Sequence, residues 1–208
     1  SRGAIELAEV YDFIYATVGM HAHDASRLDE AASKEIEEMA DHEKVVAVGE
    51  IGLDYCRDLS PRDVQREAFR EQLELAMSVN LPVVIHVRKA YEDALKILKE
   101  WYHGCGVMHC FSGSADQARM FLELGFKLGF TGSITFGNTR LESIARLTPK
   151  ADILIETDCP FLVPRPKKGR NEPAYLRIIC EKVAAVTGMS HGDTAAMTRS
   201  NAMSLFRI

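Results

Sequence analysis

Four side chains that can bind a divalent metal ion each follow a short run of apolar, mostly β-branched residues. The four are Glu50 after VVAVG, His86 after PVVI, His109 after GVM and Asp158 after ILIET. A turn and a segment with helical periodicity come after each run. Because the carboxyl ends of parallel strands meet on one face of a sheet or barrel, we expect the four side chains to converge there. Two imidazoles and two carboxylates are a suitable ligand set, so the sequence predicts a metal-dependent enzyme.

Each of these four residues also has an ordinary structural explanation when it is taken alone. Glu50 could form a salt bridge with Arg57 or Arg88, and Asp158 could cap the turn after its strand. Either histidine could bond a backbone carbonyl in the core. The joint pattern favours the metal site, because ionisable groups seldom occupy several strand ends without a function.

Further candidate residues lie near the ends of other predicted elements. His21 and His23 end the first apolar run, and we interpret them as substrate contacts; a metal-binding H-x-H pair and surface histidines are the alternatives. Arg88 is a candidate phosphate ligand, and so is the basic run 165–170, for which a solvated loop is nearly as good an explanation.

Strand-like and helix-like segments alternate along the whole chain. Strands are predicted at 14–20, 45–51, 83–86, 106–109, 126–131 and 153–157, and helices at 31–40, 60–79, 91–101, 114–124, 141–147, 174–187 and 191–206. Six βα units in strict alternation indicate an α/β fold with a parallel sheet. No G-x-G-x-x-G or Walker motif follows a strand, and polar residues at many strand ends favour a (β/α)8 TIM barrel. Such a barrel usually needs about 250 residues, so we predict that residues 1–208 form one N-terminally truncated domain lacking the first βα unit.

The composition is that of an ordinary globular protein, with 47% hydrophobic and 26% charged residues. A net charge of −5 argues against a broad nucleic-acid-binding surface, although not against a local basic patch in a cleft. No run reaches membrane-spanning length. Five cysteines without a C-x-x-C spacing indicate reduced thiols in a cytoplasmic protein. We also expect a monomer with no membrane partner. We expect Cys110 and Cys159 to be buried and to face away from the site, with zinc–thiolate ligation as the alternative.

Five motifs carry a resemblance to a known family. They are GEIGLD (49–54), HCFSGS (109–114), ETDCPFL (156–162), GRNEP (169–173) and TRSNAMSLF (198–206). Together they resemble the TatD family of metal-dependent deoxyribonucleases, and the likeness covers almost the whole chain. The resemblance implies a TIM-barrel hydrolase with two divalent ions (Mg, Mn or Zn) and exonuclease activity on single-stranded DNA.

The resemblance also implies roles for individual residues. By motif, Glu50 is the metal-bridging carboxylate, His86 and His109 are ligands of one ion, and Asp158 is a ligand of the other ion, close to the reacting water. His21 and His23 match a G-x-H-P-H stretch beside the site, with Ala22 in place of its proline, and the family's first strand with a D-x-H-x-H metal pair is absent. Two alternatives remain: a hydrolase of amides, lactones or phosphotriesters on the same barrel, and a non-catalytic binding protein.

Overall fold

The computed structural model describes all residues, 1–208, as an alternation of strands and helices. The strands are β1 (Ala16–Val18), β2 (Val45–Asp54), β3 (Val83–Arg88), β4 (Gly106–His109), β5 (Phe126–Phe130) and β6 (Ile153–Ile155). The α-helices are α1 (Arg2–Val10), α2 (Glu30–Ala40), α3 (Arg62–Ser78), α4 (Tyr91–Trp101), α5 (Ala115–Glu123), α6 (Thr139–Leu147), α7 (Leu176–Thr187) and α8 (His191–Phe206). None of these helices combines the length and the apolar character that crossing a lipid bilayer requires.

The chain divides into two compact units, and the first comprises residues 1–107 and 205–208. In this unit β1 pairs with β2 and β2 with β3, both in parallel. The register places Gly52 of β2 beside His86 of β3. Helix α3 packs on β2 through an apolar face that includes the buried Phe69 and Leu73. This parallel arrangement is the one predicted from the alternation of apolar runs and helical segments.

The second unit comprises residues 108–204, and in it β5 pairs in parallel with β6. Its core contains the buried rings of Phe111, Phe121 and Phe126, which meet edge to face at centroid distances of 6.3 and 6.4 Å. Helix α5 starts at Ser114, as predicted. The structure adds a capping box there: the Ser114 side chain accepts from the N–H of Gln117, and the Gln117 side chain accepts from the N–H of Ser114. A left-handed Gly125 follows the helix.

Two sequence predictions about local structure are wrong. Strand β2 does not end near Ile51 but continues to Asp54. The helix predicted at 60–79, with the Ser60 hydroxyl expected as its cap, begins at Arg62 instead. The Ser60 hydroxyl donates to the carbonyl of His23 and accepts from the N–H of Ser26, while Pro61 takes the cap position. The hydroxyl therefore links the segment after β1 to the start of α3 by hydrogen bonds.

Candidate metal centre

The first group of polar side chains lies on β2 and β3. Glu50 lies inside β2, at the register shift between Gly49 and Ile51, rather than at the carboxyl end where we expected it. The shift interrupts the regular alternation of side chains along the strand. Oε1 of Glu50 is 2.8 Å from Nδ1 of His86 on the neighbouring strand. The predicted proximity of these two side chains is therefore confirmed, although the strand position of Glu50 is corrected.

His21 joins this pair from the segment after β1. Its Nε2 lies 3.7 Å from Oε1 of Glu50, and its ring centroid lies 4.6 Å from that of His86. One ligand atom from each of the three residues can be chosen so that all lie within 4.8 Å of one another. Burial, followed by the neighbouring His86, lowers the pKa of His21 to about 4. The neutral imidazole is the form that binds metal ions, so the geometry favours the metal-ligand alternative for His21 over substrate contact.

Asp54, which was not among the predicted site residues, ends β2 in contact with His23 and His86. Its side chain is only 1% exposed, and its Oδ2 lies 2.9 Å from Nε2 of His23 and 3.3 Å from Nε2 of His86. Burial alone would raise the pKa of Asp54. Hydrogen bonds from the backbone N–H of Arg57, the side chain of His23 and the backbone N–H of Cys56 together lower it. Asp54 is thus an ionised carboxylate that orients both histidines, the arrangement that commonly supports histidine ligands of metal ions.

Two buried glutamines of α3 hold the backbone around this group. Oε1 of Gln65 accepts from the N–H of Asp54 at 2.8 Å, and its Nε2 donates to the carbonyl of Ser60 at 2.7 Å. Oε1 of Gln72 accepts from the N–H of Met20 at 2.6 Å, and its Nε2 donates to the carbonyl of the same residue at 3.1 Å. Helix α3 therefore fixes the segment before His21 and the end of β2 by side-chain hydrogen bonds.

The second unit contains a separate histidine–carboxylate group. His109 ends β4 as predicted, with Nδ1 at 2.8 Å from Oε2 of Glu156 and Nε2 at 3.5 Å from Oδ1 of Asp158. Asp158 lies beyond β6 in a left-handed conformation, with φ at 48°. Glu156 also accepts from the backbone N–H of Cys110. A Cβ at Gly129 would come within 2.4 Å of the Glu156 carboxylate, so this glycine provides the space that the group occupies.

Of the four predicted ligands, the structure thus places two together in each unit, and their ligand role stays a prediction. The two carboxylates that the analysis missed, Asp54 and Glu156, both lie inside the motifs that carried the resemblance, GEIGLD and ETDCPFL. A signal for Asp54 was therefore present in the sequence: an aspartate at the end of an otherwise apolar run.

The two cysteines beside predicted ligands differ from each other. Cys110 is partly buried, with Sγ 3.4 Å from Oγ1 of Thr131, and burial raises the pKa of its thiol to about 11. Cys159 is exposed, so its prediction as a buried side chain is wrong. The alternation rule does not extend to it because β6 ends at Ile155 and the left-handed Asp158 turns the chain.

The predicted phosphate contacts lie on exposed positions. Arg88 ends β3 beside Asp54 in the strand register, and its carbonyl accepts from the N–H of Tyr55 at 2.9 Å. The Arg88 side chain is exposed and forms no ion pair. The basic run 165–170 is exposed throughout, within the long segment between β6 and α7.

The chain is similar to known proteins over nearly its whole length. The sequence model of the family described as TatD related DNase matches residues 1–207. The chain is 47% identical to the protein named metal-dependent hydrolase YabD of Bacillus subtilis, over 99% of this chain and 82% of the relative. It is 37% identical to the protein named 3'-5' ssDNA/RNA exonuclease TatD of Salmonella typhimurium, over 100% of this chain and 84% of the relative.

A solved structure gives the same result for the fold. The structure is similar to YjjV, a TatD homologue from Escherichia coli K12, with a TM-score of 0.92 at 29% identity. The alignment covers 100% of this chain and 82% of that chain. The predicted α/β TIM-barrel fold class is thereby confirmed.

Proposed function

This chain belongs to the TatD-related DNase family of metal-dependent hydrolases, and from that premise we propose that it hydrolyses the phosphodiester bonds of single-stranded DNA as an exonuclease. The observation that carries the proposal is the cluster of His21, Glu50 and His86, whose ligand atoms lie within 4.8 Å of one another. The relative named 3'-5' ssDNA/RNA exonuclease TatD supports the choice of substrate.

The donor set fits a divalent ion. Two imidazoles and one carboxylate are common ligands of zinc and manganese, and the depressed pKa of His21 leaves its ring free to donate a lone pair at neutral pH. We propose that Glu50 and His86, with His21, supply ligands in the first unit, and that His109 and Asp158 supply them in the second. Two ions, of Mg, Mn or Zn, are proposed from the family resemblance. When bound, divalent ions polarise a phosphoryl oxygen and lower the pKa of water.

Other side chains of the first unit would then orient the histidine rings and neutralise the charge of the substrate phosphates. Asp54 is ionised and buried, so its Oδ2 can hold the rings of His23 and His86 in fixed orientations. We propose that His23 and the exposed Arg88 contact the phosphates of the substrate. A guanidinium suits this role because it can donate two parallel hydrogen bonds to the oxygens of one phosphate.

In the second unit, we assign the proton transfer to Asp158. Its carboxylate, with Oδ1 at 3.5 Å from Nε2 of His109, would accept the proton that the water loses as its oxygen bonds the phosphorus and the bond to the leaving oxygen breaks. Glu156, bonded to Nδ1 of His109, would keep that ring in one tautomer. A cytoplasmic location is proposed on the ground that all five cysteines are free thiols.

The test is release of nucleotides from 5'-labelled single-stranded DNA with Mg²⁺, Mn²⁺ or Zn²⁺. We expect release by the wild type and a loss of at least about a hundredfold in Glu50→Gln, because one ligand charge is removed from the site. Glu43→Gln, at an exposed glutamate, is the matched control and should behave as the wild type. No release with any of the three ions, or undiminished release by Glu50→Gln, would contradict the proposal.

A further inference from the structure

The segment between Asp158 and α7 carries a concentration of unpaired positive charge in an acidic protein. The basic loop, defined as residues 159–172, presents four exposed cations: Arg165, Lys167, Lys168 and Arg170. None of the four forms an ion pair within the protein, although other surface cations such as Arg177 and Arg119 do. With a net charge of −5 for the whole chain, this local excess indicates an anionic partner.

Aromatic side chains lie among these cations. Phe161 is 68% exposed and Phe136 is 38% exposed, which is unusual for side chains that gain from burial. The guanidinium carbon of Arg165 lies 5.6 Å from the centre of the Phe136 ring, and Nζ of Lys167 lies 5.3 Å from that of Tyr175. Alternating rings and cations of this kind bind the stacked bases and the phosphates of single-stranded nucleic acids.

Hydrogen bonds and close packing fix the conformation of the basic loop. The buried Asn171 donates to the carbonyls of Thr157 and Phe161, and its own N–H donates to the carbonyl of Pro160 at 3.1 Å. A Cβ at Gly132 would overlap the carbonyl oxygen of Leu162, so the loop approaches the backbone there as closely as glycine allows. A fixed loop loses little conformational entropy when a ligand binds.

The loop is also joined directly to a proposed catalytic residue. The N–H of Phe161 donates to the carbonyl of Asp158 at 2.8 Å, which closes a tight turn between the two. A base stacked on Phe161 would therefore lie in the neighbourhood of the substrate that reaches Asp158.

We propose that the basic loop, with Phe136, is the surface that binds the unpaired bases and phosphates of single-stranded DNA next to the site of hydrolysis. The inference rests on the proposed function for its substrate class. The basic loop would select single strands, because the base faces of a duplex are stacked and cannot reach Phe161 and Phe136.

Binding is measured by fluorescence anisotropy with a phosphorothioate oligothymidine that resists hydrolysis, with Mg²⁺ present. Phe161→Ala should weaken binding about tenfold, the loss of one stacked base. The fourfold variant Arg165→Gln, Lys167→Gln, Lys168→Gln, Arg170→Gln should make the slope of log Kd against log salt less steep by about 3. Phe161→Trp should restore binding, and Phe13→Ala and Arg199→Gln, at exposed positions outside the loop, are the matched controls.

The remaining outcomes distinguish failure of this inference from failure of the proposed function. Wild-type affinity in both loop variants, or equal weakening for a duplex of the same sequence, would overturn the inference while leaving hydrolysis untouched. Loop-dependent binding without any hydrolysis would contradict only the proposed function. Loss of sedimentation with vesicles of phosphatidylserine and phosphatidylcholine in the fourfold variant, with unchanged DNA affinity, would assign the loop to a membrane surface instead.

Discussion

The side chain of Gln72 binds both backbone polar groups of Met20, accepting from its N–H at 2.6 Å and donating to its carbonyl at 3.1 Å. Gln72 lies on α3 and is 1% exposed, so its amide depends on protein partners for its hydrogen bonds. Met20 directly precedes His21, one of the three residues of the candidate metal cluster. A helix side chain thus replaces the strand partner that the backbone at Met20 would otherwise need.

Gln72→Leu should therefore destabilise the protein strongly. The substitution keeps the approximate size of the side chain but leaves the N–H and the carbonyl of the partly buried Met20 without these partners. We expect the free energy of unfolding in urea to fall by about 3 kcal/mol. Glu74→Leu, at an exposed position of the same helix, should change it by no more than about 0.5 kcal/mol. A similar small change in Gln72→Leu would show that these hydrogen bonds contribute little.

His21→Asn separates the two roles considered for His21. If His21 is a metal ligand, the variant should bind Mn²⁺ at least about tenfold more weakly in calorimetry, and Mn²⁺ should raise its melting temperature less than that of the wild type. His103→Asn, at an exposed histidine, serves as the control. An unchanged Mn²⁺ affinity together with a raised KM for DNA would instead support substrate contact.

Asn171→Asp should disrupt the basic loop from within. A carboxylate cannot donate to the carbonyls of Thr157 and Phe161, so both acceptors lose their partner and face a buried negative charge. We expect a loss of about 3 kcal/mol in the free energy of unfolding, together with weaker DNA binding. The neighbouring Glu172→Gln, at an exposed side chain, should leave the free energy of unfolding at its wild-type value.

Tyr102 gives a pH dependence of stability at a position outside the candidate site. Burial, and then the neighbouring Cys105, raise the pKa of Tyr102, whose hydroxyl donates to the carbonyl of Cys105 at 2.9 Å. Because the folded pKa exceeds the unfolded value of about 10, the contribution of the neutral phenol is complete below pH 10 and is lost as the pH rises above it.

Tyr102→Phe should accordingly be less stable than the wild type by about 1 kcal/mol near pH 8, through loss of the hydrogen bond. That difference should shrink above pH 10, when measured by urea unfolding at each pH. Tyr11→Phe, at an exposed tyrosine, is the control. A constant difference between pH 8 and pH 11 would contradict the expected titration.

Much of the fold could be predicted because the apolar pattern of the sequence is regular. The bounds of β4 and α4 agree with the predicted 106–109 and 91–101, and Ser114 starts α5 as expected. The end of β2 was missed because GEIGLD contains glycines and a carboxylate, which resemble a turn in sequence. In the structure, the register shift at Glu50 lets the strand continue to Asp54.

The residues that support the site were harder to predict than those at its centre. Gln65 and Gln72 interrupt the apolar face of α3, so a pattern based on hydrophobicity assigns them to solvent. Their burial depends on backbone groups of Asp54 and Met20, which are distant in sequence. Cys159 shows the opposite error, since the alternation of a strand was extended past Ile155, where the strand ends.

The spacing of the two glutamines has a consequence for local unfolding. Gln65 and Gln72 are seven residues apart, close to two helical turns, so both amides lie on the same side of α3. The backbone amides of Met20 and Asp54 are bonded to them and are therefore protected from hydrogen exchange only while α3 stays folded. Exchange at these two amides should follow the opening of α3 as one cooperative event, so that the segments flanking the metal cluster are released together.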